Sequence, residues 1–371
     1  MLIYHTSDWH LGRMLYGRSL LEDQRYFLEH IFLPQVERER PAAVILAGDI
    51  YDRQVAGLEA IRLFDQTLER LMALNCKVLA IAGNHDGAGR IALLKSALRR
   101  SGVYLATELE DAFHPVELEQ DGQRVQVFLL PYFDPPQARE FFEDPELRGE
   151  GPCMERAVEA MAPLFREGAV RILAAHCFAA GASACDSENV MVGGSGQVPP
   201  ALFDPFDYAA LGHLHGPQRA GEKGRYSGSP LKYSISEAGQ EKCFLRLEID
   251  GGVQARPVRY APLRDVRRLS GTFDWLSREA QASGDYVELV LEDPAPVLLA
   301  AQRLRPNFPN LLSVVNNWTG ADTAGSRAAR LKGLGEEDIF ASFFKEACGR
   351  EPDEADRALF RRVLEEARSE G

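Results

Sequence analysis

Five short polar motifs contain the residues of this sequence that could hold metal ions. Aspartate, asparagine and histidine side chains are hard or borderline ligands, which suit manganese, iron, zinc or magnesium. The motifs are Asp8-Trp9-His10, Gly48-Asp49-Ile50-Tyr51-Asp52, Gly83-Asn84-His85-Asp86, His176 and Gly212-His213-Leu214-His215. One such motif alone would be weak support, but all five in one chain predict a site for two divalent ions.

Two of these motifs place a pair of ligands on alternate residues. Asp8 and His10 flank Trp9, and His213 and His215 flank Leu214, so each pair can face one side of an extended segment. Asp49 follows an apolar run, and a carboxylate there could bridge two cations about 3.5–4 Å apart. The alternative interpretation of Asp49 is a helix N-cap.

The Gly83-Asn84-His85-Asp86 tetrad is the most specific of the motifs. Asn84 offers a neutral oxygen ligand, while His85 suits a proton donor to a leaving oxygen, with Asp86 orienting it. The alternative is an ordinary turn, since Asn and Asp are common turn residues. A single histidine such as His176 is more often structural, but it ends an apolar strand beside the other motifs, which favours a ligand.

The elements around these motifs predict an α/β layered fold with at least part of its sheet parallel. Predicted strands are Leu2–Ser7, Ala43–Ala47, Lys77–Ala82, Val125–Pro131, Arg171–Ala175 and Tyr208–Leu211. Predicted helices are Leu20–Arg38, Leu58–Leu74, Arg90–Arg100 and Met154–Arg166. Every metal-type motif falls at the C-terminal end of a strand, where open α/β sheets place their ligand sites.

The pattern changes after about residue 225. Hairpin-like strands with an Asp250-Gly251-Gly252 turn signal are expected to close the first domain, with a boundary near Pro262–Arg268. A small α/β unit follows, with helices Asp274–Gln281 and Val297–Leu304 and strands Tyr286–Leu291 and Leu311–Asn316. The predicted division is 1–265 for the main domain, 266–318 for a cap, 319–334 for a linker that includes Thr319–Ser326, and 335–371 for a helical tail.

The tail carries two amphipathic helices separated by Gly349-Arg350-Glu351-Pro352. The apolar stripes comprise Ile339, Phe340, Phe343, Phe344 and Ala347 in the first helix, and Leu359, Phe360, Val363 and Leu364 in the second. Such a stripe is usually core packed on its own chain. Here it follows a predicted linker and is too small for an independent core, which favours docking onto a partner.

Composition sets broad limits on the protein. A chain of 371 residues suggests two or three domains, and a net charge of −13 argues against binding nucleic acid by net charge alone. That charge is equally compatible with an enzyme that acts on small phosphate esters. A basic partner could also supply the contacts to the phosphates of a nucleic acid. The N-terminus shows no signal peptide, the apolar runs are too short to span a membrane, and the six cysteines form no Cys-x-x-Cys pair. We therefore expect a cytoplasmic protein without a disulfide framework.

The motifs together resemble those of the calcineurin-like metallophosphoesterase superfamily. Within it the sequence is similar to the SbcD family, the nuclease subunits of bacterial SbcCD, over about the first 250 residues. The similarity rests on Ile3–Gly12, Gly48–Arg53, Asp186-Ser187-Glu188 with Val192-Gly193-Gly194, and Tyr226–Ser234 with Glu237. The resemblance implies a layered β-sandwich flanked by helices, with a small α/β cap domain and a C-terminal helical tail.

The resemblance also implies a ligand set and partners. Asp8, His10, Asp49 and His215 would hold one metal ion, and Asp49, Asn84, His176 and His213 the other, with His85 as the catalytic acid. The family's metal is manganese, sometimes magnesium. Its partner SbcC is a coiled-coil ATPase, and the complex, a heterotetramer containing a homodimer of the nuclease, degrades DNA ends from 3′ to 5′ and cuts single strands and hairpins in repair, replication and recombination.

Two alternatives remain open at this stage. A phosphomonoesterase or protein phosphatase of the same fold would share every metal ligand, because fold and metals do not fix the substrate. Protein phosphatases of the superfamily usually carry glutamate after Gly-Asn-His, where this chain has Asp86. The second alternative, a scaffold that has lost its metals, is disfavoured by the intact ligand set.

Overall fold

Two six-stranded sheets form the centre of the molecule. The computed structural model describes residues 1–93, 95–188, 196–278, 280–316, 337–341, 344 and 350–369. The first sheet has the order Val253–Arg259, Cys243–Ile249, Leu2–Thr6, Ala43–Ala47, Lys77–Ile81, Val103–Ala106. The second has the order Gln218–Ala220, Gly224–Tyr226, Tyr208–Gly212, Val170–His176, Gln123–Leu130, Val116–Gln120.

The middle of each sheet is parallel and its margins include antiparallel pairs. Leu2–Thr6 runs parallel to Ala43–Ala47 but antiparallel to Cys243–Ile249, which confirms the predicted antiparallel closure of the domain. Val170–His176 and Tyr208–Gly212 are parallel neighbours in the second sheet. Within each sheet, the C-terminal ends of the parallel strands therefore lie at the same edge.

Side-chain alternation along the strands builds three layers of core. Ile45 packs between the two sheets, whereas its neighbours Val44 and Leu46 pack under the helices that cover the first sheet. In the second sheet Ile172 faces the other sheet and Leu173 faces the outer helices. Both faces of each sheet are thus buried, which explains why these strands read as continuous apolar runs.

Helices cover the outer faces of both sheets. Residues 21–39 form one continuous stretch, Leu21–Tyr26, Phe27–Phe32 and Leu33–Glu39, whose middle part is a wider π-helix. This stretch and Leu58–Ala73 match the prediction within a residue or two. The prediction of a single helix over Arg90–Arg100 is wrong, because the chain forms two short helices there, Ala88–Ile91 and Lys95–Arg99.

The outer face of the second sheet carries Pro135–Phe142 and Glu150–Met161, the latter beginning four residues before the predicted Met154. Short 3₁₀ turns lie at Leu109–Phe113, Ala162–Leu164, Pro200–Phe203 and Ile235–Glu237. Two small ladders pair Met14–Leu15 with Arg18–Ser19 and Phe178–Ala179 with Gln197–Val198.

The cap is a three-stranded parallel sheet, Val266–Gly271, Tyr286–Leu291 and Leu311–Asn316, with helices Phe273–Arg278 and Ala300–Leu304. The last two strands were predicted with these bounds. Val266–Gly271 was missed, and the expected boundary at Pro262–Arg268 overlaps it. This strand lies at the edge of its sheet and exposes Arg267 and Arg268, so its sequence lacks the apolar run of a central strand.

Polar contacts, one of them buried, attach the cap to the first domain. The Tyr286 hydroxyl donates to Asp23 at 2.9 Å, and Arg264 Nε donates to the other oxygen of Asp23 at 2.9 Å. Arg18, in the Met14–Ser19 hairpin, donates to Asn310 of the cap at 3.0 Å. The cap therefore lies beside the segment that follows Asp8 and His10.

The described part of the tail is helical, as predicted. Residues 337–341 form helix, and the last helix is Glu354–Ser369. Phe340 stacks on Phe360 with ring centroids 4.3 Å apart, and Arg361 pairs with Glu337, so the two helical segments contact each other. The predicted linker and the residues Val192-Gly193-Gly194, Phe343 and Ala347 lie outside the described residues. In the described part of the chain, helices fall short of the length and apolarity that crossing a bilayer demands.

Candidate metal centre

All seven predicted metal ligands converge at one edge of the sandwich. Each follows or ends a strand, as the sequence predicted: Asp8, His10, Asp49, Asn84, His176, His213 and His215. Candidate ligand atoms of Asp8, His10 and His215 lie within 4.8 Å of one another, and so do those of Asp8, Asp49 and His176. The structure thus brings together side chains from five separate segments of both sheets.

Asp49 lies between two histidines. Its Oδ2 is 3.5 Å from His10 Nε2 and 3.4 Å from His176 Nε2. On the His10 side, His215 Nε2 approaches His10 Nε2 to 3.1 Å. A single carboxylate between two clusters of nitrogen donors is the arrangement that a bridging ligand needs.

The second cluster is built on Asn84. Its Oδ1 is 2.9 Å from His176 Nε2 and 3.3 Å from His213 Nδ1. His176 Nδ1 must donate its proton to the carbonyl oxygen of Ala47 at 3.0 Å, because a carbonyl only accepts. The Nε2 of a neutral His176 therefore points its lone pair at the oxygens of Asn84 and Asp49, and either a proton on Nε2 or a metal ion between these three electron-rich atoms relieves their repulsion.

The backbone at the site is held in uncommon conformations. Asp8, His10, Asp49 and His213 have positive φ angles of 53°, 43°, 50° and 103°. Non-glycine residues rarely adopt such angles, and they cluster where surrounding structure enforces them for function. Each of these backbone conformations directs the side chain away from the end of its strand and into the shared crevice.

Close packing beneath the ligands requires glycine. A Cβ on Gly83 would lie 2.2 Å from Asp49 Oδ1, and one on Gly48, whose φ is +90°, would lie 2.3 Å from His176 Nδ1. Real side chains do not approach this closely, so both glycines of the two motifs are sterically necessary. The ligands are therefore packed against backbone.

The charges in the centre are strongly coupled. Burial alone would lower the pKa of His176, but the Asp49 carboxylate and Asp8 outweigh it and raise that pKa to about 9. Burial alone would raise the pKa of Asp49, but His176 and His10 hold it below its usual range. Burial and the charge of His176 lower the pKa of His213 to about 3. Such a buried group of carboxylates and imidazoles fits divalent cations, which replace the proton on His176.

His85 lies at the opening of this centre. Its ring packs edge-on against His10 with centroids 4.8 Å apart, and its Nδ1 is 3.0 Å from the carbonyl oxygen of Asp52. Its backbone N–H donates to Asp49 Oδ1 at 2.9 Å. The predicted proton donor is thus beside the predicted metal ligands.

Asp86 does something different from what the sequence suggested. It was expected to orient the ring of His85, yet its carboxylate accepts from the backbone N–H groups of Gly83, Ile50 and Tyr51 at 2.9, 3.1 and 2.9 Å. It therefore fastens the turn that carries His85 to the turn that carries Asp49. Burial and the neighbouring charge of Asp49 raise the pKa of Asp86 to about 7.

Several supporting residues received no role from the sequence. Ser7 donates to Asp8 Oδ2 at 2.6 Å, and Arg13 pairs with Asp52 at 2.8 Å. Ser187 and Glu237, which contributed only to the family resemblance, lie next to His215. The sequence offers no local signal for Glu237, because the stretch Ser234–Lys242 also contains Ser236, Gln240 and Glu241 and therefore reads as an exposed polar segment.

Comparison with family models assigns the first domain to a phosphoesterase family. Residues 1–217 match the family model of calcineurin-like phosphoesterases. Residues 262–347 match the SbcD C-terminal family model, described as the type 5 capsule protein repressor C-terminal domain. Among solved structures, the chain is similar to a dimetal phosphatase from Danio rerio, with 14% identity, a TM-score of 0.42, and coverage of 70% of this chain and 99% of that chain.

Proposed function

The chain belongs to the calcineurin-like phosphoesterase family, and from this premise we propose that it is the DNA nuclease subunit of an SbcCD-type complex. Membership of this family identifies the protein as a metal-dependent phosphoesterase. The observation that carries the nuclease proposal is the order of the two family matches, the phosphoesterase over 1–217 and the SbcD C-terminal domain over 262–347. A protein phosphatase has no need for the second domain.

Two groups of side chains would hold the metal ions. Asp8, His10, Asp49 and His215 hold one ion, and Asp49, Asn84, His176 and His213 hold the other. The distances from Asp49 Oδ2 to His10 and His176, 3.5 and 3.4 Å, support its bridging role. When bound, such a metal pair activates water and stabilises the negative charge that develops on the phosphate. Manganese is the proposed ion, with magnesium as a substitute.

His85 is the proposed acid for the leaving oxygen. Because the Asp52 carbonyl can only accept, His85 Nδ1 carries a proton and donates it there, which fixes the ring. The other ring nitrogen is then the one that protonates the leaving 3′- or 5′-oxygen. Asp86 holds the turn in place through the backbone, so its contribution to catalysis is indirect.

Contacts to DNA need positive charge near the site, although the chain carries −13 overall. Arg53 is 75% exposed and only loosely paired with Asp52 at 3.5 Å, so its guanidinium is available to a phosphate group. We assign the remaining phosphate contacts to SbcC, the proposed ATPase partner, which the tail would bind. DNA ends and hairpins are the proposed substrates.

A homodimer is the proposed assembly of the nuclease within the heterotetramer. Val55, Leu58 and Ile61 are exposed around the start of the Leu58–Ala73 helix, next to the site. Adjacent exposed apolar side chains of this kind usually mark an interface. Ile61→Asp should then give a monomer in analytical ultracentrifugation, and an unchanged sedimentation coefficient would remove this surface from consideration.

The test of the function compares two substrates on the same protein. The manganese-loaded protein, alone and with its coiled-coil ATPase partner, is given linear duplex DNA, a DNA hairpin and an aryl phosphate monoester. Cleavage of DNA that disappears in Asp49→Asn supports the proposal. If both preparations hydrolyse the monoester but leave the DNA uncleaved, the protein is instead a phosphomonoesterase with the same fold.

A further inference from the structure

His215 is connected to a buried carboxylate through a single hydroxyl group. The Oγ of Ser187 lies 2.7 Å from His215 Nδ1 and donates to Glu237 Oε1 at 2.6 Å. The direct distance from His215 Nδ1 to Glu237 Oε1 is 3.7 Å, so the serine bridges a gap that the two side chains do not close themselves. We call Glu237, Ser187 and His215 the hydroxyl bridge.

The buried end of the hydroxyl bridge is an ion pair. Glu237 has no solvent exposure, and its Oε2 accepts from Lys242 Nζ at 2.6 Å. Its Oε1 also accepts from the backbone N–H of Tyr233 at 3.1 Å. With an ammonium group and an amide as neighbours, Glu237 is ionised and can only accept hydrogen bonds.

This fixes the direction of every proton in the hydroxyl bridge. The Ser187 hydroxyl must give its one proton to Glu237, so toward His215 it has only lone pairs to offer. His215 Nδ1 must therefore carry a proton and donate it to Ser187. The Nε2 of neutral His215 is left with its lone pair, and this is the nitrogen that lies 3.1 Å from His10 Nε2 in the metal centre.

The loop that carries Ser187 is fastened on several sides. Glu188 accepts from the backbone N–H of His215 and from that of Cys185. Arg13 donates to the carbonyl oxygen of Ser187 at 3.0 Å, and the Asp186 N–H donates to Ser236 at 3.1 Å. The serine is therefore held against the histidine by contacts that do not involve its own hydroxyl.

We propose that Ser187 and Glu237 are positioning residues that hold His215 in the Nδ1–H tautomer, so that its Nε2 is presented as a metal ligand. The proposal rests on the two-metal site of the proposed function. Outer partners of metal-binding histidines commonly fix the tautomer in this way, and their loss typically lowers metal affinity about 10–100-fold. Here a hydroxyl group mediates the contact instead of the carboxylate itself.

The experiment measures the tautomer of His215 directly in the full-length, metal-free protein. Long-range proton–nitrogen spectra of ¹⁵N-histidine-labelled protein distinguish Nδ1–H from Nε2–H, and the signals missing from His215→Ala identify this residue. The wild type should show Nδ1–H. Ser187→Ala should lose that preference, and Ser187→Thr, which keeps a hydroxyl, should restore it.

Glu237→Gln tests the direction of the bridge. The positive charge of Lys242 Nζ, 2.6 Å from Oε2, repels an amide N–H more strongly than the neutral Tyr233 N–H at 3.1 Å from Oε1 does, so the glutamine oxygen should turn to Lys242 and its amide N–H to Ser187. The serine would then donate to His215, and the tautomer should switch to Nε2–H. Manganese affinity, measured by titration calorimetry, should fall about 10–100-fold in Ser187→Ala and Glu237→Gln.

Ser183→Ala is the matched control, because Ser183 is exposed in the same loop and bonds to Gln218 through its backbone. It should keep both the tautomer and the affinity. A folded Ser187→Ala protein with Nδ1–H on His215 and unchanged manganese affinity overturns the proposal; should that variant unfold, an unswitched tautomer in Glu237→Gln does so. A wild type that binds two ions but leaves DNA intact overturns the nuclease function alone.

Discussion

The Nε2 atoms of His10 and His215 lie 3.1 Å apart, although 205 residues separate them in the chain. The first residue follows a strand of the first sheet and the second follows a strand of the second sheet. Two imidazole nitrogens this close share a single proton or a cation. The contact therefore joins the two halves of the sandwich at the point where the metal ligands meet.

Asp49→Ala should remove most metal binding, because Asp49 Oδ2 is the oxygen shared by the His10 and His176 clusters. Metal analysis of manganese-loaded, desalted protein should find two ions in the wild type and at most one in the variant. Asp204→Ala, a change of an exposed aspartate, is the control and should keep two. One ion in the wild type would contradict the two-metal assignment.

Gly83→Ala should disrupt the same centre through sterics alone. The new Cβ would lie 2.2 Å from Asp49 Oδ1 and 2.4 Å from its backbone nitrogen, so the turn must shift. We expect a loss of about 1–3 kcal/mol in the free energy of unfolding, together with weaker manganese binding. Gly89→Ala, where the added methyl meets open space within a helix, should weaken neither; equal losses in the two variants would show that the effect is not steric.

His85→Gln should separate catalysis from metal binding. The ring lies beside the ligands without being assigned to either ion, so the variant should bind two ions and DNA as the wild type does. Loss of the general acid should lower the DNA cleavage rate about 10²–10⁴-fold. The exposed His114→Gln serves as control in the same kinetic assay, and a near wild-type rate for His85→Gln would refute the assignment.

His5 should make the fold less stable in mild acid. It is fully buried against the Tyr208 hydroxyl at 3.0 Å, and burial lowers its pKa to about 3. Below pH ~6.5 the unfolded chain binds a proton on His5, whereas the folded chain leaves this side chain neutral. The contribution of His5 to stability is therefore complete above pH ~6.5 and is lost at about 1.4 kcal/mol per pH unit down to about pH 3.

Denaturant titrations of metal-free protein between pH 7 and 5 measure this loss. His5→Gln should show a flatter pH dependence of the unfolding free energy than the wild type. The exposed His30→Gln should follow the wild type. Parallel curves for all three proteins would mean that other groups determine the acid sensitivity.

The tail should be needed for the partner and not for the site. Ile339, Leu359 and Val363 are 37%, 52% and 53% exposed around the Phe340–Phe360 stack, which offers an apolar surface to a coiled-coil partner. Replacing Phe340 and Phe344 with Asp should abolish co-purification with the ATPase. Metal content and weak manganese-dependent cleavage by the isolated chain should persist.

Leu298→Asp is the control for this experiment, because Leu298 is 80% exposed on the cap rather than the tail. It should co-purify with the ATPase normally. If the Phe340/Phe344 variant misfolds or loses its metal ions, the tail is ordinary core.

The sequence by itself determined the ligand types and their placement. The strands Ala43–Ala47 and Lys77–Ile81 are buried on both faces, so their apolar runs were visible locally, and the polar residues after them could only lie at strand ends. The cap strand Tyr286–Leu291 was visible for a similar reason, because it is almost fully buried, whereas Leu311–Asn316 lies at the edge of its sheet and was visible through its own apolar residues. Local hydrophobicity was sufficient wherever a strand is central.

Only the tertiary structure decided what each side chain touches. The edge strand Val266–Gly271 has no local signature, since partnering on one side leaves its arginines exposed. The assignment of Asp86 to three backbone amides depends on how two turns approach each other across 36 residues. The contact of Ser187 with Glu237 spans 50 residues. The direction of this hydrogen bond follows from the ion pair between Glu237 and Lys242, which keeps Glu237 ionised. Such relationships arise when distant segments pack, and no periodicity or spacing in the chain encodes them.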